Sequence, residues 1–266
     1  MTKNNFIHMN KKDDESVFRG LKRFNLFMGF LHLVQSIAIY AISNDFSLPV
    51  RSYYLRFASE TETLEPVIKD VVSLQIGPLI ALFLLISAVC HFYLSTVGYE
   101  WYVKNLKRHI NYLRWYEYSI SSSIMIVIIA MLTGVYDIGA LIPIFMINGI
   151  MNLWGLMMEL YNQEKETKSW LPFFFGCIAG AVPWIVITLY LSGASGDAGG
   201  VPTFVYYIFA TLFVFFMSFA ANMALQYKGV WKWKDYYYGE KMYVVLSLVS
   251  KTALAWQVFF GTLRDV

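Results

Sequence analysis

The segment 242–263 reads MYVVLSLVSKTALAWQVFFGTL and contains a single charged residue, Lys251. A helix rises 1.5 Å per residue, so roughly 20 mostly apolar residues cross the ~30 Å hydrocarbon core of a bilayer. The segment is therefore predicted to be a transmembrane helix, with Lys251 roughly 13 Å from one end. A bare ammonium at that depth is costly, and it is relieved by losing the proton, by pairing with an anion, or by conversion to a Schiff base.

Six further segments have the same character. The chain is 58% apolar and only 15% charged, whereas about a quarter of the residues of a soluble domain are charged. We therefore predict an all-α bundle of seven transmembrane helices. The predicted spans are 24–43, 72–96, 112–134, 139–160, 170–192, 203–226 and 242–263.

The distribution of basic residues predicts the direction of the bundle. Of the 21 lysines and arginines, 15 fall on the side of the N-terminus and 4 on the opposite side. Short cytoplasmic loops retain Lys and Arg, so the N-terminus is predicted to lie inside and the C-terminus outside. Residues 1–23 would then form a cytoplasmic segment and residues 24–266 one membrane domain. We expect an integral multi-pass protein of the cell membrane.

The connection between the first two spans is the only sizeable one on the outer side. It covers residues 44–70. Within it, polar and apolar side chains alternate along Arg51–Phe57, which is also rich in aromatic residues. That pattern is typical of a strand. We predict a short external β-hairpin there.

Glu117 in the third span is the predicted partner of Lys251. It lies roughly 8 Å from the inner end, which leaves an axial offset of about 5 to 6 Å, close to the reach of a lysine side chain. We expect it to be the only deeply placed carboxylate, because Glu159 ends the fourth span and the other acids fall in loops or tails. Ser121 and Ser247 lie four residues from Glu117 and Lys251, on the same helix faces, and are predicted hydrogen-bond partners.

Two histidines are predicted on the same side of Lys251. His32 and His91 are placed in the inner half of the membrane, whereas residues 124–132 in the outer half of the third span have no polar side chain. We predict that the two histidines form a proton-accepting cluster, with satisfied interior histidines as the alternative.

Several classes of function are disfavoured. Cys90 and Cys177 lie in apolar runs, so the sequence predicts neither a disulfide framework nor a metal site. The net charge of +3 is too small and too dispersed for a nucleic-acid surface. The sequence contains no phosphate-binding glycine loop either. We expect a membrane protein that is surrounded by lipid, and we do not expect an enzyme.

The residues match those of a known family. The run Arg-Trp-Tyr-Glu-Tyr-Ser at 114–119, the Ser-x-x-x-Lys of Ser247 and Lys251, the inner histidines His32 and His91, and the inverted direction resemble the heliorhodopsins over essentially the whole chain.

This resemblance implies all-trans retinal bound to Lys251 as a protonated Schiff base, with Glu117 as counter-ion. It also implies a slow photocycle, in which the proton leaves toward the histidines, and a homodimer. We further predict a pocket wall for the chromophore, with ordinary packing as the alternative for its aromatic residues. The predicted wall consists of Tyr118, Met125, Trp184, Phe209 and Phe213.

The distribution of titratable groups favours sensing over pumping. Vectorial transport needs such groups on both sides of the switch, and the outer half offers little beyond Ser73, Gln75 and Gln257. We therefore predict a photoreceptor that signals through the basic inner loop 228–241 to an unknown cytoplasmic partner. The alternatives are a light-gated proton or ion conductor and a retinal-free transporter that binds substrate with Lys251 and Glu117.

Overall fold

The computed structural model describes residues 11–163, 165–196 and 200–264; residues 1–10 of the predicted cytoplasmic segment and 265–266 of the predicted membrane domain lie outside these ranges. Seven of its helices are long and apolar enough to cross a membrane, which confirms the seven-span fold. The helices are α1 Lys11–Ile42, α2 Ile76–Ser95, α3 Tyr99–Leu106, α4 Tyr112–Leu132, α5 Ile138–Tyr161, α6 Leu171–Gly196, α7 Thr203–Lys228 and α8 Tyr236–Val258, and a π-helical turn, Phe259–Leu263, extends α8.

Helix α4 forms the centre of the bundle. In the most apolar stretch of α4, 61% of the residues are buried, a larger share than in any other span of the described chain. Neighbouring helices pack in the order α1, α2, α4, α5 and α6, while α7 packs against α8 and α8 against α1. The charged side chains of α4, Arg114 and Glu117, face the other helices and are buried.

The interface between α4 and α5 is close and partly polar. Asn148 Nδ2 donates to Ser122 Oγ at 2.8 Å and to Ser123 Oγ at 3.0 Å. Two turns further toward the side of the bundle where α1 begins, called the inner side below, the Trp115 ring occupies the space that a Cβ on Gly155 would need. Side-chain amides and small residues of this kind are common where transmembrane helices approach closely.

A two-stranded hairpin connects the first two spans. Strand β1, Ser47–Ala58, pairs antiparallel with β2, Thr63–Gln75. The predicted hairpin is confirmed, but it is longer than Arg51–Phe57, and the predicted start of the second span at residue 72 is wrong because 72–75 belong to β2. Hydropathy does not distinguish the end of β2 from the start of α2, because apolar residues also suit strands. Pro78 lies in the first turn of α2, where proline is tolerated in a helix. Ser73 and Gln75, which we had counted in the outer half of that span, likewise lie in β2.

Two helices begin earlier in the chain than the predicted spans. Helix α1 begins at Lys11 rather than at residue 24, and Phe18 and Leu21 on its inner extension pack against Tyr102 of α3, a short helix that was not predicted. Helix α8 begins at Tyr236 rather than at residue 242. Hydropathy detects the membrane and not the helix, and polar residues continue a helix readily beyond the membrane.

Candidate functional site

Lys251 on α8 and Glu117 on α4 form a direct ion pair. The Lys251 Nζ atom lies 2.7 Å from Glu117 Oε1, and the two residues are only 2% and 7% exposed. An isolated charge at this depth would carry a large desolvation cost, so each of the two groups makes the other tolerable. The pair is therefore the electrostatic centre of this part of the bundle.

Two serine hydroxyls complete the shell around the amine. Lys251 Nζ donates to Ser247 Oγ at 3.0 Å and to Ser87 Oγ at 2.7 Å, and the Ser87 hydroxyl is 2.7 Å from Glu117 Oε1, to which it donates. Ser87 thus bridges the cation and the anion. We did not predict Ser87; its sequence signal is its position one turn before His91 on α2, facing the same interior.

Ser121 does not join this shell. Its side chain is fully buried, and its hydroxyl has no hydrogen-bond partner in the described part of the chain. Of the two serines chosen by their four-residue spacing, Ser247 therefore contacts the amine, whereas Ser121 lies beside the Glu117 carboxylate without a hydrogen bond of ordinary length among the described residues.

The two predicted histidines lie side by side on α1 and α2. Their rings stack with centroids 5.5 Å apart and planes inclined by 10°. His91 Nδ1 is 2.8 Å from Asn25 Oδ1. Both ring nitrogens of His32 are buried without a hydrogen-bond partner among the described residues. The stacked pair offers nitrogen atoms for protons or water within the interior, next to the face of α2 that carries Ser87.

The outer side of the ion pair is apolar. A core cluster of buried side chains, including Met125, Ile126, Ile129 and Leu254, occupies this half of the bundle. The polar contacts found there are few, such as Gln257 Nε2 donating to Thr211 Oγ1 at 3.2 Å. Buried titratable groups of the described chain therefore concentrate on the inner side of Lys251.

An apolar cavity lies close to the amine. It has a volume of about 540 Å³ and is lined by three members of the predicted pocket wall, Tyr118, Trp184 and Phe213. Met125 and Phe209 do not line it: Met125 is in the core cluster, and Phe209 packs on Trp184 with ring centroids 5.7 Å apart. The volume falls within the range of small-molecule sites, and the lining suits an elongated apolar ligand.

The cavity is separated from Lys251 by one aromatic ring. Tyr118 lines the cavity, and the centroid of its ring is 5.2 Å from Lys251 Nζ. The cavity opens toward the lipid-facing surface, because Ile185 on α6 and Met217 on α7 both line it and are exposed. An apolar molecule of the bilayer could enter between these two helices.

A second group of buried charges lies nearer the inner ends of α4, α5 and α8. Arg114 contacts the carboxylates of both Glu159 and Glu240, and all three side chains are buried. The expectation that Glu117 is the only deeply placed carboxylate is therefore wrong. It failed because Glu240 was assigned to a loop, whereas α8 begins before it. The available signal was Arg114 itself, a cation in a predicted span for which no partner had been identified.

Comparison with known proteins identifies one family. A family model described as Heliorhodopsin matches residues 21–263. A search of curated proteins gives no match.

Replacement of Ser87 by alanine should destabilise the protein more than replacement of Ser121. Ser87→Ala removes a hydroxyl that bonds to both buried charges, and hydrogen bonds to charged groups contribute about 1.5–3 kcal/mol. Ser121→Ala removes a buried hydroxyl that lies near Glu117 but makes no hydrogen bond of ordinary length among the described residues, so its loss should cost less. Chemical unfolding of the ligand-free protein in detergent measures both changes. Equal losses for the two variants would contradict the bridging position of Ser87.

Proposed function

Since the chain belongs to the heliorhodopsin family, we propose that it is a light sensor in which all-trans retinal is attached to Lys251 and Glu117 acts as counter-ion. The observation that carries the proposal is the buried ion pair between these residues, at 2.7 Å, beside an apolar cavity of about 540 Å³. Family membership makes this a rhodopsin-type retinal protein; the attachment residue, the isomer and the sensory role are the parts that we propose.

The residues around the cavity suit the proposed ligand. Retinal, when bound, absorbs visible light and isomerises about a double bond. Lys251 would supply the nitrogen of the Schiff base, Glu117 would hold a proton on that nitrogen, and Ser87 and Ser247 would orient it through their hydroxyls. Tyr118, together with Trp184 and Phe213 across the cavity, would provide apolar contacts.

The inward distribution of polar groups supports sensing rather than pumping. A proton that leaves the Lys251 nitrogen finds His32 and His91 on the inner side and an apolar core on the outer side. A proton with acceptors on only one side of the switch returns the way it left, and no net charge crosses the membrane. In this proposal the histidine pair accepts the proton and later returns it to the Lys251 nitrogen, within the slow photocycle that the family resemblance implies.

The proposed output is a conformational change at the inner ends of the helices. The basic segment 228–241 covers the connection between α7 and α8 and the beginning of α8, the helix that carries Lys251. A change in charge at Lys251 would bias the packing of α8 and, through it, this connection. The cytoplasmic location of the N-terminus, the homodimer and the signalling partner stay predictions from the sequence.

Reconstitution with retinal tests the proposal directly. Addition of all-trans retinal to the purified apoprotein should produce a visible absorption band at longer wavelength than that of free retinal. Lys251→Ala should abolish the band, because no other buried amine is found among the described residues. Lys241→Ala is the matched control, since Lys241 is an exposed lysine on the same helix and its loss should leave the band unchanged. A full band in Lys251→Ala would refute the assignment and favour a retinal-free transporter.

Glu117→Gln should lower the proton affinity of the Schiff base. Removal of the anion that faces the nitrogen disfavours the protonated form, so that the proton is lost at lower pH than in the unmodified protein. At neutral pH the absorption should then shift to the blue. Spectroscopic titration measures both effects, with the exposed Glu100→Gln variant as control. An unchanged spectrum and titration would exclude Glu117 as counter-ion.

Illumination of vesicles that contain the retinal-bound protein should produce no sustained pH change. The physical reason is that no buried charged residue of the described chain lies on the outer side of the ion pair, where the core cluster is apolar. A pH electrode, with and without a protonophore, makes the measurement. A sustained change that the protonophore abolishes would indicate a pump, and a photocurrent that reverses with the ion gradient under voltage clamp would indicate a conductor.

A further inference from the structure

Arg114, Glu159 and Glu240 form a buried cluster that the proposed light reaction does not use. Arg114 Nη2 contacts Glu159 Oε1, and Arg114 Nη1 contacts Glu240 Oε1. The side chains of the three residues are no more than 3% exposed. They come from α4, α5 and α8, so the cluster joins three spans at their inner ends.

Glu159 is surrounded by hydrogen-bond donors. In addition to Arg114, its carboxylate accepts from Trp115 Nε1 at 2.7 Å, from the Asn111 backbone N–H at 3.0 Å and from Tyr236 OH at 3.3 Å. Donors of this number stabilise an ionised carboxylate strongly. Glu159 therefore has the environment of the anion that balances Arg114.

Glu240 has a poorer set of donors. Its Oε2 atom accepts from Asn111 Nδ2 at 2.9 Å, and Arg114 contacts its Oε1 atom. The residue is fully buried. A second ionised carboxylate here would leave the buried cluster with a net charge of −1, and the penalty for an uncompensated buried charge is several kcal/mol. Two carboxylates that share one site avoid this by retaining a proton on one of them.

The groups around the cluster provide no further buried positive charge. They are Tyr102 on α3, Tyr118 on α4, Tyr227 on α7, Tyr236 and Tyr243 on α8, and His109, Lys168, Lys234 and Asp235 in the connections. Burial raises the pKa of Tyr102 to about 12, so that its phenol is neutral at pH 7. His109, Lys168, Lys234 and Asp235 are exposed to solvent, which screens them. Arg114 is thus the buried cation available to both carboxylates in the described part of the chain.

A polar pocket connects this cluster with the inner surface. It has a volume of about 170 Å³, and Glu159 and Tyr236 line it together with the exposed Lys168 and Lys234. Two polar atoms beside the carboxylates, Arg114 Nε and Tyr243 OH, are buried and have no hydrogen-bond partner among the described residues. Water in the pocket would therefore reach the edge of the cluster, and this gives a route for proton exchange with the inner solution.

We propose that Arg114, Glu159 and Glu240 form a second proton-binding site, in which Glu240 carries one exchangeable proton at neutral pH and Glu159 is ionised. The site is separate from Lys251 and Glu117. No continuous chain of hydrogen bonds joins the two among the described residues; Tyr243, whose ring lies 4.1 Å from Arg114 Cζ and whose carbonyl accepts from Tyr118 OH, lies between them. Release of the proton would give the cluster a net charge of −1.

Infrared spectroscopy of the apoprotein in darkness tests this site independently of retinal, so its outcome does not depend on the proposed light reaction. In a detergent without ester groups at neutral pH, the protein should show a carbonyl band of a buried protonated carboxylic acid that shifts in D₂O. The band should be lost in Glu240→Gln and kept in Glu117→Gln and in the exposed control Glu100→Gln. If the carboxylic-acid band persisted in Glu240→Gln, the proposal would be overturned.

Stability distinguishes the two carboxylates. Glu240→Gln replaces a neutral acid by a neutral amide of the same shape and should leave the thermal midpoint of the apoprotein nearly unchanged. Glu159→Gln removes the anion beside Arg114 and forces Glu240 to ionise, so it should lower the midpoint and also abolish the infrared band. A larger loss in Glu240→Gln than in Glu159→Gln, or a Glu240→Gln protein that does not fold, would show that the proton is not on Glu240.

Discussion

Charge buried in hydrocarbon must be balanced within a few ångström, and this constraint organises the inner half of the bundle. The protein meets it twice. Lys251 is balanced by Glu117, and Arg114 by Glu159 and Glu240. Both balances involve α4, the most buried span, which holds Glu117 and Arg114 three residues apart on one face. The remaining helices are arranged so that α2, α5 and α8 bring the complementary groups to that face.

The two balances differ in how they close. One amine and one carboxylate cancel, and Ser87 links them by accepting from one and donating to the other. The charges of one guanidinium and two ionised carboxylates do not cancel, and one bound proton on a carboxylate makes the cluster neutral. Arginine keeps its own proton under all conditions of interest, so any change of charge in that cluster falls on a carboxylate. The family membership bears on the first balance, whereas the second follows from the geometry alone.

The sequence predicted those features that depend on one helix at a time. Lys251 and Glu117 stand out because each is an ionisable residue within a long apolar run, and depth can be counted along a helix. Ser87 and Glu240 were missed for different reasons. The contacts of Ser87 cross from α2 to α4 and α8, and no spacing within one helix encodes such contacts. The burial of Glu240 depends on where α8 begins, and the basic residues before it resemble a loop.

Tyr118 has a consequence for the access of any ligand to Lys251. Its ring forms part of the cavity wall and lies against the amine, and its hydroxyl is held by the Tyr243 carbonyl at 2.8 Å. A ligand in the cavity would therefore meet the Tyr118 ring before Lys251 Nζ. The ring is held by this hydrogen bond, whose net contribution is about 1 kcal/mol, and by edge-to-face packing against Trp115 and Phe219. A single side chain thus separates the lipid-facing cavity from the buried amine.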